Sequence, residues 1–157
     1  VIPSMKKGGG SIINFPGGGE DAFPNFSAYA ASKGGVIRFT ETLAEELKAY
    51  RIRVNAIAPG AVNTKLLEQV LAAGPEKTGK NFYDRSLQQK AGGGEPPEKA
   101  AELILFLCSE AADGLTGKVF SAKWDSIEKL ATHKDEIIFS DVYNMRRVKP
   151  EDRGYHW

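Results

Sequence analysis

Ser27-Ala-Tyr29-Ala-Ala-Ser-Lys33-Gly-Gly-Val36 opens a long amphipathic stretch that leads into Arg53-Val-Asn-Ala-Ile-Ala-Pro59-Gly60-Ala-Val62-Asn-Thr64. The reading of this passage decides the fold. Tyr29, Val36, Phe39, Leu43 and Leu47 recur at helical spacing, with Glu41, Glu45, Glu46 and Lys48 on the other side, which predicts a helix from Asn25 or Phe26 to Tyr50. Ile52 to Ala58 reads as a buried strand, and Ser11-Ile-Ile-Asn-Phe15, bounded by glycines, reads as another. Strand, helix and strand then form one right-handed crossover of a layered α/β fold with a parallel sheet. Ligands bind such sheets outside the carboxyl ends of the strands, so the Pro59 loop and the residues after Phe15 mark the expected site.

Working outward, Val1 to Lys7 reads as the tail of a helix capped by Gly8 to Gly10, and the chain is expected to begin inside a longer fold. Gly17 to Pro24 reads as a loop. Lys65 to Ala73 carries a short helical pattern followed by a stretch rich in Gly, Lys and Pro, and residues 65–94 are expected to form a substrate lid. Glu95-Pro-Pro-Glu98 starts a helix running to Cys108 or Glu110, because prolines fit the first turn and acids favour the N-terminal dipole. Leu115 to Ser121 predicts a last strand. Residues 1–123 thus form the α/β unit and 124–157 a C-terminal extension, with a helix near Trp124 to Lys134 and a strand or arm over Asp141 to Val148.

A chain of 157 residues with 41% apolar and 26% charged side chains builds one domain with a sizeable core. A net charge of +1 provides neither a basic footprint for nucleic acid nor a polybasic patch for a membrane. The apolar runs fall short of the about 20 residues needed to cross a bilayer, and the N-terminus lacks the apolar region of a signal peptide. The single cysteine, Cys108, closes no internal disulfide; it reads as a small buried core residue and implies a cytoplasmic setting. His133 and His156 lie far apart in a charged tail and suggest no metal site.

Tyr29 and Lys33 carry the chemistry. On a helix, residues four apart share a face, and an ammonium beside a phenol favours the phenolate by charge attraction. A phenol, with an ordinary pKa of about 10, becomes useful for proton transfer near neutrality only with such help. The spacing alone is common on solvated helix faces, but the flanking sequence is not.

Ser27 to Gly35, Phe39 to Leu47 and Ile52 to Thr64 together closely resemble the second half of a short-chain dehydrogenase/reductase, from about Met5 to Gly117. The resemblance implies a partial doubly wound, Rossmann-like parallel sheet with crossover helices. It implies hydride transfer between NAD or NADP and a small-molecule carbonyl or secondary alcohol. Tyr29 would be the general acid in reduction and the general base in oxidation. Lys33 would assist it and hydrogen-bond the nicotinamide ribose, Pro59-Gly60 would turn the chain under the nicotinamide, the Val62 backbone would hold its carboxamide, and Thr64 would also reach the cofactor. Asn55 reads as structural. A homodimer or tetramer built on the tyrosine-bearing helix is implied as well, its close approach permitted by Ala30, Ala31, Gly34 and Gly35.

Two departures from the family pattern bear on activity. The family's catalytic serine stands thirteen residues before the tyrosine, a position held here by Pro16. Proline has no donor, so an oxyanion there loses a hydrogen bond worth about 3 kcal/mol in comparable sites. Gly17 and Asn14 do not replace it, and neither Ser11 nor Ser27 is assigned the role. The family's glycine-rich cofactor turn is also not found: Gly8 to Gly10 precede a strand, Gly92 to Gly94 follow none, and Gly17-Gly-Gly-Glu-Asp-Ala22 is separated from its helix by Phe23-Pro24. The expectation is therefore a C-terminal portion of an oxidoreductase, with weak or absent NAD(P) binding in this chain alone. The alternative is a noncatalytic remnant or oligomerising domain of the same fold.

Overall fold

A computed structural model describes residues 1–17 and 22–156. The chain runs α1 (Ile2–Gly8), β1 (Gly10–Asn14), α2 (Ser27–Leu47), β2 (Ile52–Ala58), α3 (Lys65–Ala73), α4 (Pro75–Thr78), α5 (Lys80–Ala91), α6 (Pro97–Cys108), β3 (Val119–Ser121), α7 (Ile127–Thr132) and α8 (Lys134–Ile138). The three strands form one parallel sheet in the order β1-β2-β3, with Gly10 opposite Ile52 and Ala56 opposite Val119. The α/β fold expected from the sequence is the fold observed.

Strand residues alternate between faces, and β2 shows how that alternation distributes the core. Ile52 and Val54 pack with Leu43, Ala44 and Leu47 of α2, while Ile57 packs with Leu103, Phe106 and Leu107 of α6 and with Phe120 of β3. The two helical layers therefore lie on opposite faces of the sheet. Because the strands advance in one direction across it, the two crossovers have opposite hands. The chain between β2 and α6 must change faces, and it does so by passing over the carboxyl edge of the sheet, where α3, α4 and α5 sit.

Asn55, on the α6 side of β2, is buried with both side-chain polar atoms engaged: its amide nitrogen donates to Leu115 O at 2.8 Å and its oxygen accepts from Lys118 N at 3.1 Å. This is the structural role read from the sequence. Arg53, on the same face, reaches the carbonyls of Cys108 and Ser109 at the end of α6.

The structure differs from the sequence reading at identifiable points. On α2 the buried stripe is Ile37, Thr40, Leu43, Ala44 and Leu47; it keeps Leu43 and Leu47 from the spacing read in the sequence, but Ile37 and Thr40 take the inward positions and Phe39 is 56% exposed. Cys108 is exposed rather than buried, since α6 turns Leu103, Phe106 and Leu107 inward and its last residue outward. The Gly- and Lys-containing stretch after Ala73 is helical over α4 and α5, with Gly74 and Gly79 at left-handed angles between the helices. Asp141 to Val148 is an arm and not a strand; it returns to the edge of β3, where Val119 N donates to Tyr143 O. Of the loop and glycine motif over residues 17–24, positions 18–21 lie outside the described residues, as does Trp157.

Behind β3 the returning arm is held by a dense polar knot. Lys118, 4% exposed, donates to Ser140 O at 2.7 Å, Val142 O at 3.1 Å and Asn144 Oδ1 at 2.7 Å. Asn144 Nδ2 donates to Gly117 O, and Met145 N to Glu41 of α2. The Tyr143 ring lies tilted against Phe120 with centres 5.0 Å apart, and its hydroxyl donates to Asp125 Oδ1 at 3.2 Å. Burial lowers the Lys118 pKa against the opposing pull of Asp141 and Glu41, and burial together with Asp125 raises that of Tyr143.

Candidate functional site

The carboxyl edge of the sheet opens into a cavity of about 500 Å³. One wall is built from β1, β2 and the start of α2. Tyr29 and Lys33 lie one helical turn apart on α2 and face the chain that leaves β2, where Pro59, Gly60, Val62 and Thr64 complete the wall. Residues separated by 35 positions in sequence meet here because a parallel crossover returns both strand ends to the same edge. All the residues singled out as candidates from the sequence line this one cavity.

Lys33 Nζ donates to Phe15 O at 3.0 Å, which anchors the ammonium to the end of β1 and leaves its other N–H groups free to point elsewhere. The same nitrogen lies 5.8 Å from the centre of the Tyr29 ring. Among the described residues the Tyr29 hydroxyl takes no hydrogen-bond partner. The turn after β2 is held tightly. Gly60 has φ +84°, and a Cβ there would stand 2.9 Å from Glu95 Cγ, so only glycine fits without displacement. Val62 N donates back to Gly60 O at 3.0 Å, and Val62 O accepts from Gln89 Nε2 at 3.3 Å. The Lys123 ammonium, 2.8 Å from Glu95, holds that carboxyl below the usual carboxylate range and ties the start of α6 to the end of β3. Thr64 stands at the N-cap of α3, with its side chain making no cap hydrogen bond.

The opposite wall was not read from the sequence. Phe23 and Phe26 stack with ring centres 4.6 Å apart, and Phe82 of α5 meets both edge-on at 4.9 and 5.0 Å. Tyr29 joins the group through Phe23 at 6.0 Å. Leu66, Leu67 and Val70 of α3 extend the apolar surface. Phe23 and Phe26 precede α2, so their approach to Tyr29 follows from the turn at Asn25, with φ +69°, and not from helical spacing. Phe82 had no local signal, because it comes from a helix 53 residues beyond Tyr29 in sequence.

The position of the expected serine holds a buried Pro16. Ser11 Oγ points to Leu107 O of α6 at 3.5 Å, and neither Ser11 nor Ser27 lines the cavity. The hydroxyls that do line it, besides Tyr29, are Thr64 and Ser86, and the latter is engaged with Phe82 O at 2.8 Å. Among the described residues no cluster of His, Cys, Asp and Glu is grouped to hold a metal, and no helix is long and apolar enough to cross a membrane.

The profile of the family described as enoyl-(acyl carrier protein) reductase matches residues 1–123, a span that includes both cavity strands, α2 and the whole β2 turn. The chain belongs to the short-chain dehydrogenase/reductase family. Similar family members include the 3-oxoacyl-(acyl-carrier-protein) reductase FabG of Thermotoga maritima, 40% identical over 121 residues, which are 76% of this chain and 46% of that protein. Among solved structures, acetoin dehydrogenase from Enterobacter cloacae superposes with a TM-score of 0.54 at 30% identity, over 76% of this chain and 44% of the other. 4-Hydroxyisoleucine dehydrogenase, a structure complexed with NADH, superposes with a TM-score of 0.50 at 27% identity, over 71% of this chain and 43% of the other. The chain thus spans less than half the length of these relatives.

Proposed function

We propose that this cavity is the nicotinamide and substrate end of an NAD(P)-dependent oxidoreductase site, which interconverts a carbonyl and a secondary alcohol with Tyr29 as the general acid and base. The observation that carries this reading is the gathering of Tyr29, Lys33, Pro59, Gly60, Val62 and Thr64 around one cavity at the carboxyl edge of a parallel sheet. The residues present suit the nicotinamide end of such a cofactor. Lys33 has N–H groups left over after its bond to Phe15 O, Gly60 presents bare backbone to the cavity, and Thr64 keeps its hydroxyl uncommitted at a helix N-terminus. When bound, the cofactor supplies or accepts the hydride.

Everything else falls to the chain. In reduction Tyr29 donates its hydroxyl proton to the carbonyl oxygen, and the Lys33 ammonium, held on the same helical face, stabilises the phenolate that remains. In oxidation the proton travels the other way. The aromatic wall excludes water from the opposite side of the reacting group. Val62 presents its carbonyl towards Gln89 and its N–H towards Gly60, so a carboxamide held at this backbone shares the Val62 oxygen with the Gln89 amide. Among the described residues none that lines the cavity suits the adenosine end, and affinity for the whole cofactor in this chain is expected to be correspondingly low.

Titration of the protein with NADH and NADPH, followed by the cofactor's own emission, tests the reading. Saturable binding that survives Tyr29→Phe and weakens in Lys33→Met supports it. No binding at millimolar cofactor favours the second reading, a noncatalytic domain of the same fold, for which Pro16 at the serine position is the specific observation.

Assembly into a homodimer or tetramer through α2 accompanies either reading. Phe39 is exposed on that helix, and a Cβ at Gly35 would meet nothing within 4 Å in the same protomer. Gly34→Trp is expected to leave a monomer in sedimentation, and an unchanged mass would remove α2 from the interface.

A further inference from the structure

We infer that the cavity selects an uncharged ketone or secondary alcohol carrying an aromatic ring next to the reacting carbon, and that Phe82 is the residue that sets this preference. The inference rests on the proposed Tyr29-centred site and adds the substrate class to it.

The polarity of the cavity is one-sided. Lys33 is its only cationic side chain among the described residues, and its ammonium is bound to Phe15 O beside the phenol. Among the described residues no arginine, histidine or carboxylate lines the walls. Among the described residues a substrate carboxylate or phosphate therefore finds no paired donors of the kind that usually hold such groups, and a substrate ammonium finds no acceptor of opposite charge. The polar side chains on the α5 side are already engaged: Ser86 with Phe82 O, and Gln89 with Val62 O and Asn63 Oδ1. Desolvating a charged group against this wall costs far more than the wall can return.

What the wall does offer is aromatic surface in a fixed geometry. Phe23 and Phe26 stack at 18°, and Phe82 meets them at 78° and 67°. Phe23 in turn stands at 68° to Tyr29, with centres 6.0 Å apart. The proton-transferring ring is thus part of the same aromatic cluster. A group whose carbonyl oxygen reaches the Tyr29 hydroxyl enters a cavity that Phe23, Phe26 and Phe82 also line. A flat ring can stack or meet these rings edge-on at the usual separations, whereas a saturated ring of similar size gains only contact area. Phe82 comes from α5, the segment that differs most from the reading of the sequence. Its ring is braced by Phe23 and Phe26 on one side, and the carbonyl of its own residue accepts from buried Ser86.

The test compares binding with turnover in the same protein. 2-Acetonaphthone, cyclohexyl methyl ketone and pyruvate are titrated against wild type, Phe82→Leu, Phe82→Ala and Tyr29→Phe, and each ketone is then assayed for reduction with NADH and NADPH. The expected result is saturable binding of 2-acetonaphthone, weakened about tenfold by Phe82→Leu, while cyclohexyl methyl ketone is affected little. Phe82→Leu keeps apolar volume and so separates loss of the ring from loss of packing, and circular dichroism melts identify a Phe82→Ala variant that fails to fold. Tyr29→Phe is expected to keep the binding and lose the turnover. Equal binding of the aryl and cyclohexyl ketones, unchanged by Phe82→Leu, overturns the inference, as does preferred turnover of pyruvate. Ring-selective binding that depends on Phe82, with no reduction by either cofactor, supports the substrate class and instead counts against the proposed catalysis.

Discussion

The arm packed on β3 and the cavity beyond β1 and β2 are furnished with polar groups in opposite ways. Behind β3, Lys118 gives hydrogen bonds to three acceptors, Asn144 uses both its oxygen and its nitrogen, and Tyr143 reaches Asp125. At the carboxyl edge, Tyr29 has no hydroxyl partner among the described residues, Lys33 makes one bond, and Thr64 caps nothing with its side chain. A polar group that serves the fold saturates itself within the fold, because an unpaired buried donor or acceptor costs about 1–3 kcal/mol. A group that serves a ligand must keep a valence open and face a cavity. The contrast is the one expected if Tyr29, Lys33 and Thr64 serve a ligand, as proposed above.

The contrast can be broken most forcefully at Tyr29. Tyr29→Phe removes a hydroxyl that holds nothing among the described residues, so reduction by the complete site should fall by about 10²- to 10⁴-fold, while the melting temperature stays where it is. A stability loss comparable to that of a core substitution would show the hydroxyl to be structural.

Gly60→Ala tests a position shared by both functions. The residue must adopt φ +84°, and its Cβ would approach Glu95 Cγ to 2.9 Å. A cost of about 2 kcal/mol is expected from the backbone strain and the contact. Calorimetry should report a melting point lower by several degrees, and cofactor titration a weaker affinity. Unchanged values of both would mean that the turn relaxes freely and does not shape the wall.

The smallest effect is expected behind β3. Tyr143→Phe removes the bond to Asp125 and should cost about 1 kcal/mol with no change in turnover. Its signature lies in the pH dependence. Because the folded pKa of Tyr143 is raised, its contribution is fully present below the ordinary phenol value of about 10 and is lost as pH rises through the folded value. Lys118, whose pKa burial lowers, acts in the opposite sense as pH climbs towards the ordinary lysine value. The difference between wild type and Tyr143→Phe in alkaline denaturation isolates the tyrosine. Parallel curves would mean that the phenol is solvated in the folded state.

Much of the fold was legible because it rests on short-range patterns. Ile52–Ala58 and Lys65–Ala73 are observed with the bounds read from the sequence, and Ser11 to Phe15 is shifted by one residue to Gly10–Asn14. The misplaced features have a common physical origin. Whether Phe39 or Ile37 is buried depends on how α2 is rotated against β2, and whether Cys108 is buried depends on where α6 ends, and both are decided by packing partners. α5 escaped notice because its apolar positions are few and it starts after a glycine with φ +84°. The arm over 141–148 has no strand partner to lengthen it, and its register is set by Lys118 and Asn144.

The sequence by itself determined a parallel α/β unit with its candidate residues at the carboxyl edge, since strand alternation, helical spacing and a proline-glycine turn are properties of neighbouring residues. It also determined which residues face each other within a helix, and so the pairing of Tyr29 with Lys33. Only the tertiary structure decided what stands opposite that pair. The change of sheet face between β2 and α6 carries α5 across the opening and places Phe82 against Phe23 and Phe26. No local pattern encodes such a meeting, because it arises from the path that the chain must take to cover both faces of one sheet.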